Sequence, residues 1–62
     1  MSNRVGVDNF TGAVTVNSLF SGRIGRDDAD RNWVFRDLTG NIILTSYIHR
    51  DLTRAIIRHF NS

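Results

Sequence analysis

The amino-acid sequence contains no cysteine, proline, lysine, glutamate or glutamine. Without cysteine the chain has neither disulfide bonds nor thiolate metal sites. Every basic side chain is arginine, every acidic one is aspartate, and the net charge at pH 7 is only +2. Arginine binds carboxylates and phosphates through paired hydrogen bonds and stacks on aromatic rings, so this composition suits contacts with a partner. A compositional bias without functional content is the alternative interpretation.

Long hydrophobic runs are also missing, since no segment approaches the roughly 18 to 20 apolar residues of a transmembrane helix. The first four residues, Met1 to Arg4, do not lead into an apolar stretch like that of a secretory signal. We therefore expect a soluble, cytoplasmic protein that does not contact a membrane.

The length of 62 residues predicts a single domain, residues 1–62, and the hydrophobic content of 40% is too high for a disordered chain. A domain of this size buries only about 60% of the surface that its unfolded chain exposes. Small domains usually need a disulfide, a metal or a partner subunit. Because cysteine is absent, we predict that the chain forms a homodimer.

The first part of the chain has the alternating pattern of β-strands. Residues 4–8 and 13–17 alternate apolar with other side chains, and turn-forming residues separate them, so an N-terminal hairpin is predicted within residues 1–18. The segment that follows is ambiguous, because apolar residues are interrupted by glycine. A short strand is predicted at residues 22–26, followed by a polar turn at residues 27–32.

A second hairpin is predicted within the central strands, residues 22–47. Residues 32–36 and 42–47 are rich in aromatic and β-branched side chains, and residues 37–41 form the clearest turn in the sequence. Strand alternation places Trp33 and Phe35 on one face of the sheet.

The C-terminal segment changes to helical periodicity, and a helix is predicted at residues 51–60. Asp51 is the predicted N-cap, because its carboxylate can accept hydrogen bonds from the free N–H groups of the first turn. One apolar stripe contains Leu52, Ala55, Ile56, His59 and Phe60. A helix this short is unstable alone in water and must pack on the sheet. The predicted fold is α+β: an antiparallel sheet of three to five strands with one C-terminal amphipathic helix packed on one face.

Residues 22–55 contain a spacing of turn, aromatic and aliphatic residues that is shared with a known family. The matching positions are Asp28, Trp33, Phe35-Arg36, Gly40, Asn41, Ile42-Ile43-Leu44-Thr45-Ser46 and Ala55. This segment resembles the YegP-like family of small sheet-plus-helix domains. The family usually has asparagine where this chain has Thr39, and Glu-Gly-Tyr where it has residues 47–49. The resemblance implies an antiparallel sheet with one helix and pairing into dimers, and it implies no reaction.

Metal and catalytic sites are not predicted. Residues 28–32 resemble the first half of a calcium loop, but Trp33 and Thr39 stand where such a loop needs glycine and glutamate. His49 and His59 are ten residues apart in the sequence, which does not place them on one helix face. No spacing indicates a nucleophile beside a base. We therefore expect no enzyme activity, no cofactor and no metal.

Two groups of residues are candidates for binding. A small sheet has two faces and one helix to cover them, so some aromatic side chains are expected at a protein interface. The predicted interface residues are Phe20, Trp33, Phe35 and Tyr47, although a place in the core is the alternative for most of them. Arg50, Arg54 and Arg58 would form a stripe on the helix that could contact phosphates, and a solvated helix face is the alternative.

These patterns favour a non-enzymatic protein-interaction module that works as a homodimer. A small accessory protein that binds or modulates a larger protein partner, as compact phage-type inhibitors do, belongs to this class. The alternative function is a small nucleic-acid-binding protein that uses the arginine stripe of the helix.

Overall fold

The computed structural model describes residues 2–29 and 31–62. Its elements, in chain order, are β1 (Val5–Val7), β2 (Ala13–Val16), β3 (Leu19–Asp27), β4 (Asn32–Asp37), β5 (Ile42–Ser46) and α1 (His49–Asn61). The five strands form one antiparallel sheet in the order β1-β2-β3-β4-β5, and α1 packs across one face against β5, β4 and β1. The predicted α+β fold is therefore confirmed. Among the described residues there is no helix with the length and hydrophobicity that crossing a membrane requires.

The first hairpin, predicted from the turn residues between two alternating segments, joins β1 to β2 through residues 8–12. The Asp8 carboxylate accepts hydrogen bonds from the backbone N–H groups of Phe10 and Thr11 at 2.8 and 3.2 Å. Gly12 has a φ of 82°, and a Cβ atom there would lie 2.3 Å from the carbonyl oxygen of Ile24. Only glycine fits this turn, because it has neither the steric penalty of positive φ nor a side chain.

The turn between β2 and β3 corrects the sequence prediction for this region. Asn17 and Ser18 have φ values of 52° and 71°, and Val16 pairs with Leu19. This two-residue loop with two positive φ values is the type I′ hairpin turn, whose twist matches that of the adjoining strands. The strand that follows is nine residues long instead of the short strand predicted at residues 22–26.

The predicted turn between β4 and β5 is confirmed. The Asp37 carboxylate accepts hydrogen bonds from the hydroxyl of Thr39 at 2.6 Å and from the N–H groups of Thr39 and Asn41 at 2.9 and 3.1 Å. Gly40 follows with a φ of 91°. Asp37 therefore closes this hairpin with the chemistry that Asp8 supplies in the first one.

The loop between β3 and β4 falls partly outside the described residues. Its Asp30 is not described, so the predicted polar turn and the calcium-loop comparison at residues 28–32 are only partly covered. The Asp27 carboxylate accepts a hydrogen bond from the N–H of Ala29 at 3.0 Å.

The core lies between α1 and the sheet. Its buried side chains are Val14, Ile24, Phe35, Leu52 and Ile56, and the partly buried Val5, Val7, Trp33, Leu44 and Phe60 pack against them. Burying a side chain such as Phe35 or Leu52 contributes about 1.5–3 kcal/mol, so this small cluster accounts for much of the stabilisation of the domain. It also fixes which face of the sheet remains uncovered.

The start of α1 differs from the prediction in two respects. The N-cap is Ile48, which makes no side-chain capping hydrogen bond, and Asp51 lies within the first turn. The helix begins two residues earlier than the predicted start at residue 51, at His49, whose ring packs edge-on against Trp33 with centroids 5.0 Å apart. His49 is half-buried, whereas His59, which the sequence placed on the apolar stripe of the helix, is exposed near its C-terminal end.

Candidate protein-interaction surfaces

The sheet face opposite α1 is not covered by any helix or strand of the described residues; we call it the open face. Strand register places one row of its side chains on four neighbouring strands: Ala13, Arg23, Arg36 and Ile42. Phe20 belongs to this face too, because the guanidinium carbon of Arg23 lies 5.9 Å from the centroid of its ring. The open face therefore combines two cations with apolar side chains.

The two arginines lie directly opposite each other on β3 and β4. Like charges in such a cross-strand pair destabilise a sheet. Arg36 donates a hydrogen bond from Nη1 to the carbonyl oxygen of Gly40 at 3.0 Å, and Arg23 lies over the ring of Phe20. Neither contact is with a carboxylate. Carboxylates of a partner would relieve this repulsion.

Apolar side chains flank the arginine pair. A bulge in β5 opposes Ile42 to Arg36 and Leu44 to Phe35, which leaves Ile43 as the extra residue. Ile42, Ile43 and Phe20 are all exposed. Val34 faces away from α1 yet is only 2% exposed. The open face thus has a buried apolar residue of its own beside its exposed apolar side chains.

The outer edge of β5 is the second surface; we call it the β5 edge. β5 pairs with β4 on one side, and within residues 2–29 and 31–62 no strand pairs with the other side. The sequence from Asn41 to Ile48 contains no charged residue, and Tyr47, just past the strand, is 76% exposed. Sheet edges are usually protected by charged side chains, proline or a covering element. The β5 edge has neither charge nor proline, and it has a bulge at Ile43.

The other edge of the sheet is less available. β1 has only three residues, it is flanked by Arg4 and Asp8, and it contacts α1. Short length and flanking charge both disfavour pairing with another chain. The β5 edge is therefore the edge that is open to a second strand.

The predicted interface aromatics do not form one surface. Phe35 is fully buried under α1, so the prediction that it contacts a partner is corrected by its place in the core. Trp33 is half-buried on the same face, between His49 and Arg26, whose guanidinium carbon is 5.2 Å from the ring centroid. The aromatic pattern could not show that α1 covers the face to which these two residues belong.

Phe20 and Tyr47 are exposed as predicted, but they lie at opposite ends of the sheet. The residue before Tyr47 pairs with Trp33 on β4. Trp33 also pairs with Arg26 on β3, and Arg26 is six residues away from Phe20 along that strand. At about 3.3 Å per residue, this separation is roughly 20 Å along the strands. Phe20 therefore belongs to the open face, and Tyr47 belongs with the β5 edge.

Phe10 is an exposed aromatic that the sequence pattern did not distinguish from a core residue. Its side chain is 97% exposed at the tip of the 8–12 turn, beside a cleft of about 500 Å³ whose walls include Ile24, Trp33 and His49. The N–H groups of Phe10 and Thr11 hold the pKa of Asp8 below its ordinary value of 3.8. In the sequence, the position of Phe10 among turn residues was the only sign that its ring is exposed.

The arginine stripe is present on the helix. Because α1 begins at His49, it includes Arg50, and Arg50, Arg54 and Arg58 are all exposed on the side away from the core. Arg54 and Arg58 line a shallow depression of about 270 Å³ together with Asp51. The stripe therefore has one carboxylate beside its C-terminal half.

Within the part of the chain that the structure describes, no three histidine or aspartate side chains come close enough together to hold a metal ion. Comparison with protein-family models, with curated proteins and with solved structures gave no match to this chain. The resemblance to the YegP-like family stays a prediction. The surfaces described above are therefore the basis for a functional proposal.

Proposed function

We propose that this chain is a non-enzymatic protein-interaction module that works as a homodimer, joined through the β5 edges of two copies. The observation that carries the proposal is an uncharged edge strand with exposed apolar residues, Ile42, Ile43, Tyr47 and Ile48. An unpaired strand of this kind is a template for another strand, and a second copy supplies an identical one.

Symmetry favours a second copy at this edge. Two identical strands that pair in antiparallel fashion are related by a two-fold axis, so each contact is made twice. The axis stands perpendicular to the sheet, which becomes a continuous sheet with both helices on one side and both open faces on the other. Tyr47 and Ile48 of each copy would lose exposed apolar area. A domain of this size gains from such burial because its own core is small.

Solution mass by light scattering across a concentration series tests the homodimer. We expect the dimer mass at high concentration and a melting temperature that rises with protein concentration. Thr45→Lys places a charge in exposed β5 without touching the core, and we expect it to give a monomer with a concentration-independent melting temperature. Ala29→Lys, in the exposed β3–β4 loop, adds the same charge away from the edge and should leave the dimer intact.

Two outcomes would overturn this proposal. One is a monomer at every concentration of the unaltered chain. The other is a dimer whose mass is unchanged by Thr45→Lys, which would place the contact elsewhere.

A second candidate function is nucleic-acid binding through the arginine stripe. It is favoured by the start of α1 at His49, which brings Arg50 into line with Arg54 and Arg58. Binding to a short DNA duplex should then weaken steeply with added salt, because phosphate contacts release counterions. Arg54→Ala or Arg58→Ala should reduce the salt dependence, whereas Arg4→Ala, an equal loss of charge beside β1, should not. Equal effects of all three substitutions would argue against the stripe as the binding site.

A further inference from the structure

We infer that the open face is a docking surface for an acidic protein segment that presents carboxylates between apolar side chains. The inference rests on the proposed function in one respect, that the chain is an interaction module, and it names the chemistry of the partner. The docking surface lies within a single copy of the chain and does not depend on the dimer.

The layout of the open face sets the pattern that a partner must match. Arg23 and Arg36 stand side by side at the centre, Phe20 flanks them on one side, and Ile42 and Ile43 flank them on the other. Neighbouring strands are about 4.8 Å apart, so the row from β3 to β5 spans roughly 10 Å, the width of one helix with its side chains. One amphipathic helix with two central carboxylates would cover this row.

A depression beside the row gives an apolar side chain of the partner a place to enter. Gly25 lies opposite Val34 on the open face, and a Cβ atom built on Gly25 would meet no atom within 4 Å. The backbone of β3 is therefore accessible next to a covered valine. The open face is thus indented next to the apolar Val34 on β4.

The positive charge of the open face disfavours a second copy of the chain as its partner. Two open faces stacked about a two-fold axis would bring two arginine pairs against each other, and like-charge contacts in an interface are costly. Among the described strand residues, the aspartate on this face is Asp27, which lies at the far end of β3 and whose Oδ1 already accepts a hydrogen bond from Ala29. A partner with its own carboxylates supplies the opposite charge for Arg23 and Arg36.

The apolar part of the surface favours a protein over single-stranded nucleic acid. Platforms for single strands stack successive bases on several exposed aromatic rings. The strand residues of the open face, as far as they are described, include one aromatic ring, Phe20, and the side chains beyond the arginine pair, Ile42 and Ile43, are aliphatic.

The test uses a synthetic helical peptide whose contact stripe carries two glutamates between two leucines, with glutamine in place of both glutamates as the control peptide. Binding is measured by titration calorimetry on the full chain. We expect the glutamate peptide to bind, and Arg23→Ala and Arg36→Ala each to weaken its binding by about fivefold or more. Arg50→Ala removes the same charge on the opposite side of the domain and should leave the affinity unchanged.

A second variant tests the docking surface by changing its shape and not its charge. Gly25→Leu fills the depression beside Val34 without meeting other atoms at its Cβ, so the fold, followed by circular dichroism, should persist while peptide binding is lost. Its dimer mass should be unchanged, since the β5 edge is not altered.

Several results would overturn the docking surface. They are equal binding of the glutamine peptide, unchanged affinity in both arginine variants, or arginine-dependent binding of an oligothymidine strand in place of the peptide. Light scattering on the same samples separates the two proposals. A monomer that binds the glutamate peptide refutes the β5-edge dimer alone, whereas a dimer indifferent to the glutamates refutes the docking surface alone.

Discussion

At the scale of single residues, two glycines of β3 have opposite surroundings although they are three positions apart. Gly22 lies on the helix face, where a Cβ atom would stand 2.7 Å from the ring of Phe35 and 2.3 Å from the carbonyl oxygen of Arg36. Gly25 lies on the open face, where a Cβ atom would meet nothing within 4 Å. Gly22 is therefore needed for the close packing around Phe35, whereas Gly25 leaves the backbone of the open face exposed.

This difference predicts opposite effects of the same substitution. Gly22→Ala should lower the free energy of unfolding by at least about 2 kcal/mol, because the added methyl group displaces the ring of Phe35 or the backbone of β4. Gly25→Ala should leave it unchanged or raise it by up to about 1 kcal/mol, since the unfolded chain loses freedom. Urea denaturation of both variants checks this, and equal stabilities would contradict the packing described here.

The hairpin aspartates make stability depend on pH. The hydroxyl of Thr39 holds the pKa of Asp37 below its ordinary value of 3.8 against the opposing effect of burial, with help from the N–H groups of Asn41, Thr39 and Gly40. Because the folded pKa lies below the unfolded one, the unfolded chain binds the proton more readily. The stabilisation is therefore present above the unfolded pKa and is lost as pH falls through 3.8 towards the folded pKa.

Asp37→Asn should flatten this part of the pH dependence. The measurement is the melting temperature between neutral pH and strong acid, compared with Asp28→Asn, which removes the same charge from the exposed β3–β4 loop. A profile unchanged by Asp37→Asn would show that the turn carboxylate does not contribute.

At the scale of elements, α1 begins without a side-chain cap. The N-cap Ile48 already has the extended backbone of a cap residue, with φ −112° and ψ 122°, and its carbonyl oxygen accepts the N–H of Leu52 at 3.0 Å. Docking against the sheet, including the contact of His49 with Trp33, therefore fixes the start of the helix in place of local capping.

Ile48→Ser should stabilise the domain by about 1 kcal/mol, because serine supplies the missing acceptor for the first turn. Thermal unfolding by circular dichroism at one low protein concentration measures the effect. Tyr47→Ser, at the exposed neighbouring position, removes apolar surface without reaching a cap position and is the control. A gain of the same size from both substitutions would indicate a surface effect unrelated to capping.

Some of the turns and strands were predictable from sequence patterns, and others were not. Both turns closed by aspartate, at residues 8–12 and 37–41, were predictable because aspartate accepts hydrogen bonds from turn N–H groups and glycine readily adopts positive φ. The start of β3 was not, because Asn17 and Ser18 form the tight turn without glycine. The bulge in β5, and a register shift where Val14 and Thr15 of β2 pair with β3, change the strand pairing without leaving a clear sequence signal.

The kinds of residue on the candidate surfaces were predictable from the sequence, but their positions in the fold were predictable only in part. The count of aromatics against one helix predicted exposed rings, and Phe20 and Tyr47 are indeed exposed. Phe35 is buried because α1 crosses its strand, which depends on tertiary packing. The arginine pair of the open face was not predicted, since cross-strand neighbours 13 positions apart become adjacent only once the register is known.

At the scale of the whole molecule, an asparagine cluster links the N-terminal segment to the end of α1. Asn3 donates through its side chain to the carbonyl oxygen of Phe60, and its N–H donates to the side chain of Asn61. The side chain of Asn17 donates to Oδ1 of Asn3 at 3.0 Å. One residue therefore joins the segment before β1, the β2–β3 turn and the helix.

Asn3→Ala should lower the free energy of unfolding by about 1 kcal/mol, because two exposed side-chain hydrogen bonds are lost. It should also speed amide exchange in the last turn of α1, where the carbonyl of Phe60 loses a donor. Asn9→Ala, in the exposed 8–12 turn, is the matched control. Loss of stability in both variants alike would mean that the cluster does not hold the helix end.

The order of the strands has a kinetic consequence. Every strand pairs with its neighbour in the chain, so each hairpin closes a short loop at little entropic cost. The contact between Asn3 and Asn61 spans 58 positions and can form only when α1 docks. The hairpins are therefore the contacts that cost least entropy to form, and we expect the docking of α1, which brings Asn61 to Asn3, to come last in folding.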